Sequence, residues 1–395
     1  MFGHLQIYDR RERALVGTAD AALRLVAPGL RLGRGRPVNP PQRILLLRLE
    51  RIGDLLMTLD AIDDVRRAVP SARLDLVVGS WNAELAGRIR GVDHVETLDA
   101  AWLARGSAGV PLHRLLRHAR GWRTRRYDLA INFEPDIRGN LLLAAARARM
   151  TAGFASGGGG ALLDVALPYD PRAHTTANAR RLVAALLDVP PSGGSARLEI
   201  TVEERRAAAR RLAGRRAPLI GLHVSGGRAV KQWDPQRFAA LASRLVRTRG
   251  ATIVLTGSAE DRPMVNDLLR GLGPDGVDLA GTLDLPNLAA TLESLDLFIT
   301  GDTGPMHVAA AVGTPVVAIF GPSDPARYAP TDTFHRVVRI DLPCSPCNRI
   351  RLPPERCRGH IPDCLTGIDV EMVYRAAETT LDRMTRAGTL GSARG

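Results

Sequence analysis

"ITGDTGPMHVAAAVGTPVVAIFGPSDP", residues 299–325, is the stretch that decides the fold. An apolar run ends at Thr300. A turn carrying Asp302-Thr303-Gly304 follows, then a helical stretch (304–312), then a second apolar run from Pro315 to Phe320. Asp-Thr-Gly is the triplet of aspartic proteases, but that chemistry needs two carboxylates sharing one proton. This chain has a single Asp-Thr-Gly. Strand, turn, helix and strand in that order describe one unit of a parallel sheet.

The same alternation runs outward in both directions. Before it come "APLIGLHV", a helix over 235–249, "ATIVLTG", a helix over 261–271, "VDLAG", a helix over 286–294 and "DLFIT". Further upstream, "RILLLRL" reads as a buried strand and 55–69 as a helix ending at Pro70. "RLDLVVG", "HVETLD" and "YDLAINF" read as strands, with helices over 112–122 and 137–149. The pattern loosens in "VPPSGGSARLEI" (189–200), and a helix over 201–214 follows. The fold class is therefore α/β, with two doubly wound, Rossmann-like domains. Residues 1–40 form a basic amphipathic extension, helical over 9–26, and the domains cover 41–200 and 201–395. Ligands of such sheets bind at the carboxyl ends of the strands, so the site is expected in a cleft between the domains.

Composition narrows the function. The net charge is +13. A nucleic acid, a phosphorylated substrate or an anionic membrane surface would each suit it. No recognition motif for nucleic acid is present and aromatics are sparse, so no nucleic-acid partner is expected. The arginines are widespread, but Lys231 is the only lysine. No apolar run is long enough to span a bilayer, and the first residues lack a signal-peptide core. A cytoplasmic location is expected. Four cysteines (Cys344, Cys347, Cys357, Cys364) suit a reducing compartment. The first two have C-x2-C spacing, which zinc accepts, but Cys357 and Cys364 are not spaced as a knuckle. No metal and no cofactor is assigned.

Four loops carry candidate chemistry. In the opening stretch, Gly304 admits close backbone approach, Thr303 adds a hydroxyl and His307 a cation one turn into the helix, whose N-terminus suits an anion. The alternative is a capped helix with a core-facing histidine. "HVSGGRAVKQWDPQRF" (223–238) offers Ser225, Gly226, Arg228 and Lys231 as a polyphosphate cradle, although it is no P-loop. "LTGSAEDRPMV" (255–265) offers Glu260 or Asp261 to ribose hydroxyls, or simply acids at a helix start. "LERIGDLLMT" (49–58) offers Asp54 as a general base, or as a helix cap. Arg48 and Arg51 beside it are candidate acceptor-binding groups. The glycine run 157–160 completes no dinucleotide fingerprint.

Together these loops resemble the heptosyltransferases, glycosyltransferase family 9, from about Arg43 to Val373. The most specific match is "DTGPMHVAAAVGTPVVAIFGPSDP". "RLERIGDLLMTLDAI", "HVSGGRAVKQWDPQRFAAL" and the cysteine-bearing tail add to it. Asp60 departs from the pattern, standing where the family usually has proline. The resemblance implies a GT-B fold whose two domains face each other across the cleft, the first taking the acceptor and the second the donor. It implies an inverting, metal-independent glycosyltransferase that moves heptose from ADP-heptose onto a phosphorylated cell-envelope glycolipid such as a lipopolysaccharide core. Asp54 would be the catalytic base. Lys231 would contact the donor phosphates, with Ser225 and Gly226 on the phosphate side. Glu260 or Asp261 would bind ribose, and Asp302, Thr303, Gly304 and His307 would form the donor-binding turn. A nucleotide-sugar epimerase of the same fold is the rival enzyme, and a basic nucleic-acid-binding protein the rival of another class. Seven arginines and no acid lie between Ala100 and Tyr127. Either their helix packs its apolar face on the first domain and shows the arginines to water, or Arg117, Arg120 and Arg123 form an acceptor-side rim that meets an anionic inner leaflet peripherally, with residues 9–26 assisting.

Overall fold

The structure, a computed structural model, describes residues 3–7, 9–31, 35–103, 109–187, 189–190, 195–350 and 353–386. Arg105 and most of the 189–194 junction lie outside them. The chain divides into two compact units, Met1–Ala196 and Arg197–Gly395.

The first unit is built on a parallel sheet of β1 (Arg43–Arg48), β2 (Arg73–Val78), β3 (His94–Thr97), β4 (Leu129–Asn132), β5 (Met150–Phe154) and β6 (Val165–Leu167), in the order β3-β2-β1-β4-β5-β6. The second uses β7 (Leu219–His223), β8 (Thr252–Thr256), β9 (Gly276–Asp278), β10 (Leu297–Gly301), β11 (Val316–Ile319) and β12 (Arg336–Val338), in the order β12-β11-β10-β7-β8-β9. Counted from its own first strand, each sheet runs 3-2-1-4-5-6. The central strands are aliphatic along their length because helices cover both faces. Ile44 to Leu47 are fully buried, and so are Ile220, Leu222 and Leu297 to Ile299.

This strand order fixes where ligands go. The chain reverses direction across the sheet between strands 1 and 4, leaving a crevice at their carboxyl ends. In the first unit the crevice lies between the ends of β1 and β4, where Leu47 pairs with Asn132. In the second it lies between β7 and β10, where His223 pairs with Thr300.

Several elements differ from expectation. The helix read over 55–69 is two, Ile52–Leu56 and Leu59–Ala68. Thr58 between them donates its hydroxyl to Asp54 O at 2.9 Å, which ends the first turn. β5, β6, β12 and the helices Thr175–Leu187 and Val370–Arg386 had no clear pattern in the sequence. The first helix runs from Arg10 to Arg31, past Pro28. The glycine run serves close packing rather than a ligand. Gly157 lies against the Pro135 carbonyl with no room for a Cβ, and Gly158 and Gly159 take φ of +91° and +73°.

Candidate active site

The second unit's crevice gathers the residues of two loops. After β7 the chain turns through Ser225–Arg228. Gln232 braces this turn: its Oε1 accepts the Gly226 N–H at 2.6 Å, and its Nε2 donates to the Val224 and Trp233 carbonyls. A Cβ on Gly226 would sit 2.6 Å from Gln232 N, so only glycine fits. The Gly226 amide is thereby used inside the loop. Gly227 and Arg228 are exposed, and Gly227 has φ +64°.

Lys231 closes this loop and meets the loop after β10. Its Nζ lies 2.8 Å from Asp302 Oδ2, and the Ser323 hydroxyl donates to the same oxygen. Burial pushes the Asp302 carboxyl up, but the Lys231 charge and these hydrogen bonds outweigh it, so the group stays below the usual carboxylate range. Asp302 thus fixes the one ammonium of the chain at the mouth of the crevice. Thr303 caps the helix Gly304–Val312 by position only. Its hydroxyl pairs with Thr300 Oγ1 at 3.1 Å and makes no capping bond to the helix start. His307 is buried one turn in. His223, at the end of β7, is buried against Thr256 Oγ1 (3.2 Å), and burial lowers its pKa to about 4.

The two acids after β8 separate. Asp261 Oδ2 accepts from Ser258 N (2.7 Å) and Oγ (2.8 Å) and so closes its own turn. Glu260 is exposed.

In the first unit, Arg48 ends β1 and is buried. Its Nη1 donates to Phe133 O (2.6 Å) and lies 3.2 Å from Glu50 Oε2. Its Nε donates to Asp54 O (3.2 Å), and its Nη2 is 3.5 Å from Asp54 Oδ1. Arg48 therefore positions the Asp54 loop from below, a different placement from the acceptor-facing one expected of it. Asp54 Oδ2 accepts the Arg51 N–H at 3.2 Å, as a capping box requires. Its side chain stays 27% exposed, enough to meet a second partner. The Arg51 guanidinium donates to Leu103 O (2.6 Å) and lies 5.4 Å from the Trp81 ring centre.

Sequence reasoning passed over Glu134, which follows β4. It is buried and accepts the amides of Leu49 and Glu50. Burial first, then the Glu50 charge, raise its pKa well above the usual range. The signal was present only as an acid after a strand adjacent to β1.

Arg120 and Arg123 are corrected. The helix Leu112–Gly121 precedes β4, so it runs from the carboxyl edge back to the amino edge of the sheet. Arg123 Nε donates to Ala145 O (2.9 Å), just ahead of β5. β1 has six residues, and a strand of that length spans about 20 Å, so Arg123 is tied to the edge opposite the one that carries Asp54. Arg117 and Arg120 are exposed on the same helix. Asp60, the departure from the family pattern, accepts the Ala196 N–H at 2.7 Å and lies 3.9 Å from Arg180.

The four cysteines are free thiols. Burial, then Cys347, Cys344 and Cys357 nearby, push Cys364 up to about 11. Among the described residues no group of three or more His, Cys, Asp or Glu side chains is set to hold a metal. No helix among them is long and apolar enough to cross a membrane.

Comparison with known proteins agrees with this fold. Residues 115–355 match the model of glycosyltransferase family 9 (heptosyltransferase). Lipopolysaccharide heptosyltransferase 2 of Salmonella typhimurium is 26% identical over 313 residues, 75% of this chain and 88% of the relative. A family 9 glycosyltransferase structure from Veillonella parvula superposes with a TM-score of 0.75 at 25% identity, covering 87% of this chain and 98% of that one. The E. coli ADP-heptose lipopolysaccharide heptosyltransferase II structure gives 0.71 at 21% identity, with 87% and 100% covered. With strand order and crevice in place in both units, and the family model matching over half of its length, the chain belongs to glycosyltransferase family 9.

Proposed function

We propose that this glycosyltransferase transfers heptose from ADP-heptose to a phosphorylated cell-envelope glycolipid of the lipopolysaccharide-core class, with inversion and without a metal. The observation that carries this reading is the Lys231–Asp302 pair at the β7/β10 crevice. It holds a cation beside a helix start that its N-cap side chain does not cap, where a nucleoside diphosphate would lie. The names of the Salmonella and E. coli relatives supply the sugar and the acceptor class.

The roles follow from charge. Lys231, exposed Arg228 and the start of the helix Gly304–Val312 neutralise the diphosphate as it leaves. Ser225 hydrogen-bonds on the phosphate side, and Glu260 takes the ribose hydroxyls. Asp302, with Thr303 and His307 packed around its turn, orients Lys231. Asp54 removes the proton of the acceptor hydroxyl, whose oxygen attacks the anomeric carbon on the face opposite the departing diphosphate. Charge placement matters more than covalent catalysis for such an oxocarbenium-like state. Arg51, beside Asp54, meets the acceptor's phosphate. The acceptor is lipid-borne, so the enzyme works peripherally at the anionic inner face of the cytoplasmic membrane.

A panel of nucleotide sugars tested for thermal protection checks the donor. ADP-heptose is expected to raise Tm, since a ligand that binds only the folded state stabilises it by mass action. Protection by another nucleotide sugar alone would replace the donor. Turnover of donor with no acceptor present would favour the epimerase instead.

A further inference from the structure

The helix Arg10–Arg31 leaves a second apolar stripe in the open, unlike a helix that only packs on its own domain. Such a helix normally buries its apolar stripe and shows its polar face to water. Here the face packed on the first unit carries half-buried Val16 and Leu23 with buried Gly17, Asp20 and Ala27, a narrow apolar strip around one carboxylate. Asp20 is the anchor. Its Oδ1 accepts the Gly159 N–H at 2.7 Å, and its Oδ2 takes Arg24 Nη2 at 3.1 Å. Gln6 ties the preceding segment to Ser156 O and Tyr169 O, and Glu12 lies 3.9 Å from Arg138. These partners follow β4, β5 and β6, so the start of the helix is fixed at the sheet edge that also carries Asp54.

The outward face holds Leu15, Ala19, Ala22, Leu25 and Val26, all exposed. Leu15 is 73% exposed, Leu25 85% and Val26 53%. Only three other large hydrophobic side chains among the described residues are comparably open: Val202, Phe334 and Val337. Arg11 borders this stripe and Arg10 lies a turn before it, both exposed, while Arg24 sits toward the packed face with Asp20. Residues 1–42 carry seven arginines against three acids, and Asp20, one of the three, is buried. The helix lies outside the span matched by the family model.

We propose that this helix is the membrane-contacting element of the protein, lying flat in the interface of an anionic bilayer. Leu15, Leu25 and Val26 enter the headgroup boundary while the flanking arginines pair with lipid phosphates. Charge selects this occupant over a second copy of the chain, since pairing two such faces would bring basic rims together. The inference rests on the reading of the acceptor as lipid-borne, and it replaces the arginines of residues 112–126 as the point of contact.

The test sediments the full chain with vesicles of phosphatidylglycerol and phosphatidylcholine, and with phosphatidylcholine alone. Wild type is compared with a Leu15→Gln, Leu25→Gln, Val26→Gln variant. Wild type is expected to prefer the anionic vesicles and to lose binding as salt rises. The variant should bind them at least about tenfold more weakly, while its ADP affinity by calorimetry stays that of wild type. Equal sedimentation of variant and wild type would overturn the proposal. So would wild type binding to neither vesicle, or a wild-type dimer in velocity centrifugation that the variant abolishes. Vesicle binding by a protein that takes up no ADP would count against the donor reading and leave this inference standing.

Discussion

Removing Lys231 does two things at once. It deletes the cation that faces the donor, and it strands Asp302 in a half-closed crevice. Lys231→Ala should weaken ADP binding by about 1.5–3 kcal/mol, the worth of a charge-assisted hydrogen bond. It should also destabilise the fold by about 2–3 kcal/mol, because an unpaired carboxylate stays buried. Adding Asp302→Asn to Lys231→Met should restore much of the stability and none of the affinity. Calorimetry and urea unfolding on the same proteins separate the two effects, and an unchanged ADP affinity in Lys231→Ala would remove Lys231 from the donor site. Asp54 is held by its capping bond to the Arg51 amide and by buried Arg48, whose Nη2 lies 3.5 Å from Oδ1. Asp54→Asn keeps an acceptor at that position, so the loop should hold while kcat drops at least about a hundredfold. Near-normal turnover in the folded variant would end its candidacy as the base. Asp54, Lys231 and Asp302 were legible because each sits in a loop after a readable strand. Glu134, Gln232 and Ser323 were not, since their partners come from neighbouring strands or from a fold-back that one-dimensional spacing does not encode.

At the scale of elements, legibility followed length and burial. β1 and β7 announce themselves as runs of aliphatics flanked by loops. β6 and β12 have three residues each, too few for any period, and β5 contains a glycine. The arginines of the helix Leu112–Gly121 show a different limit. Periodicity gave the face on which they lie but not the end of the sheet they reach, and the crossover direction sets the latter. β7 carries a pH consequence of its own. It ends at His223, which titrates at about 4 rather than its ordinary 6.5 because burial disfavours the charged ring. Between these values the unfolded chain binds a proton that the native chain refuses. Stability from this residue is therefore complete above pH 6.5 and lost as pH falls toward 4, up to about 3 kcal/mol. His223→Gln, which retains a hydrogen bond for Thr256, should flatten that part of the urea-stability profile. Matching slopes for variant and wild type across this window would contradict the assignment.

For the whole molecule, the repetition of one strand order in two units is the organising fact. Each unit closes its own sheet and buries its own core, and the candidate donor residues all belong to the second. ADP at a hundred times its Kd should add about 2.7 kcal/mol to the folded state. Hydrogen exchange should show that gain in the β7, β8 and β10 ends and the loops that follow them. An ADP-bound protein with no added protection from Ser225 to Lys231 and around Asp302 would place the nucleotide elsewhere.

A chain with 54 basic residues and one lysine has, apart from its amino terminus, a single primary amine. That amine is the one clasped by Asp302. Amine-directed reagents, which scatter over the surface of an ordinary basic protein, should modify one interior position here. The reaction should be slow, since the Lys231 side chain is largely buried against Asp302, and slower still with ADP bound. Reductive methylation followed by intact-mass measurement would then count occupied donor sites directly, with no labelled substrate. Rapid modification that ADP does not alter would show that nucleotide and lysine do not meet.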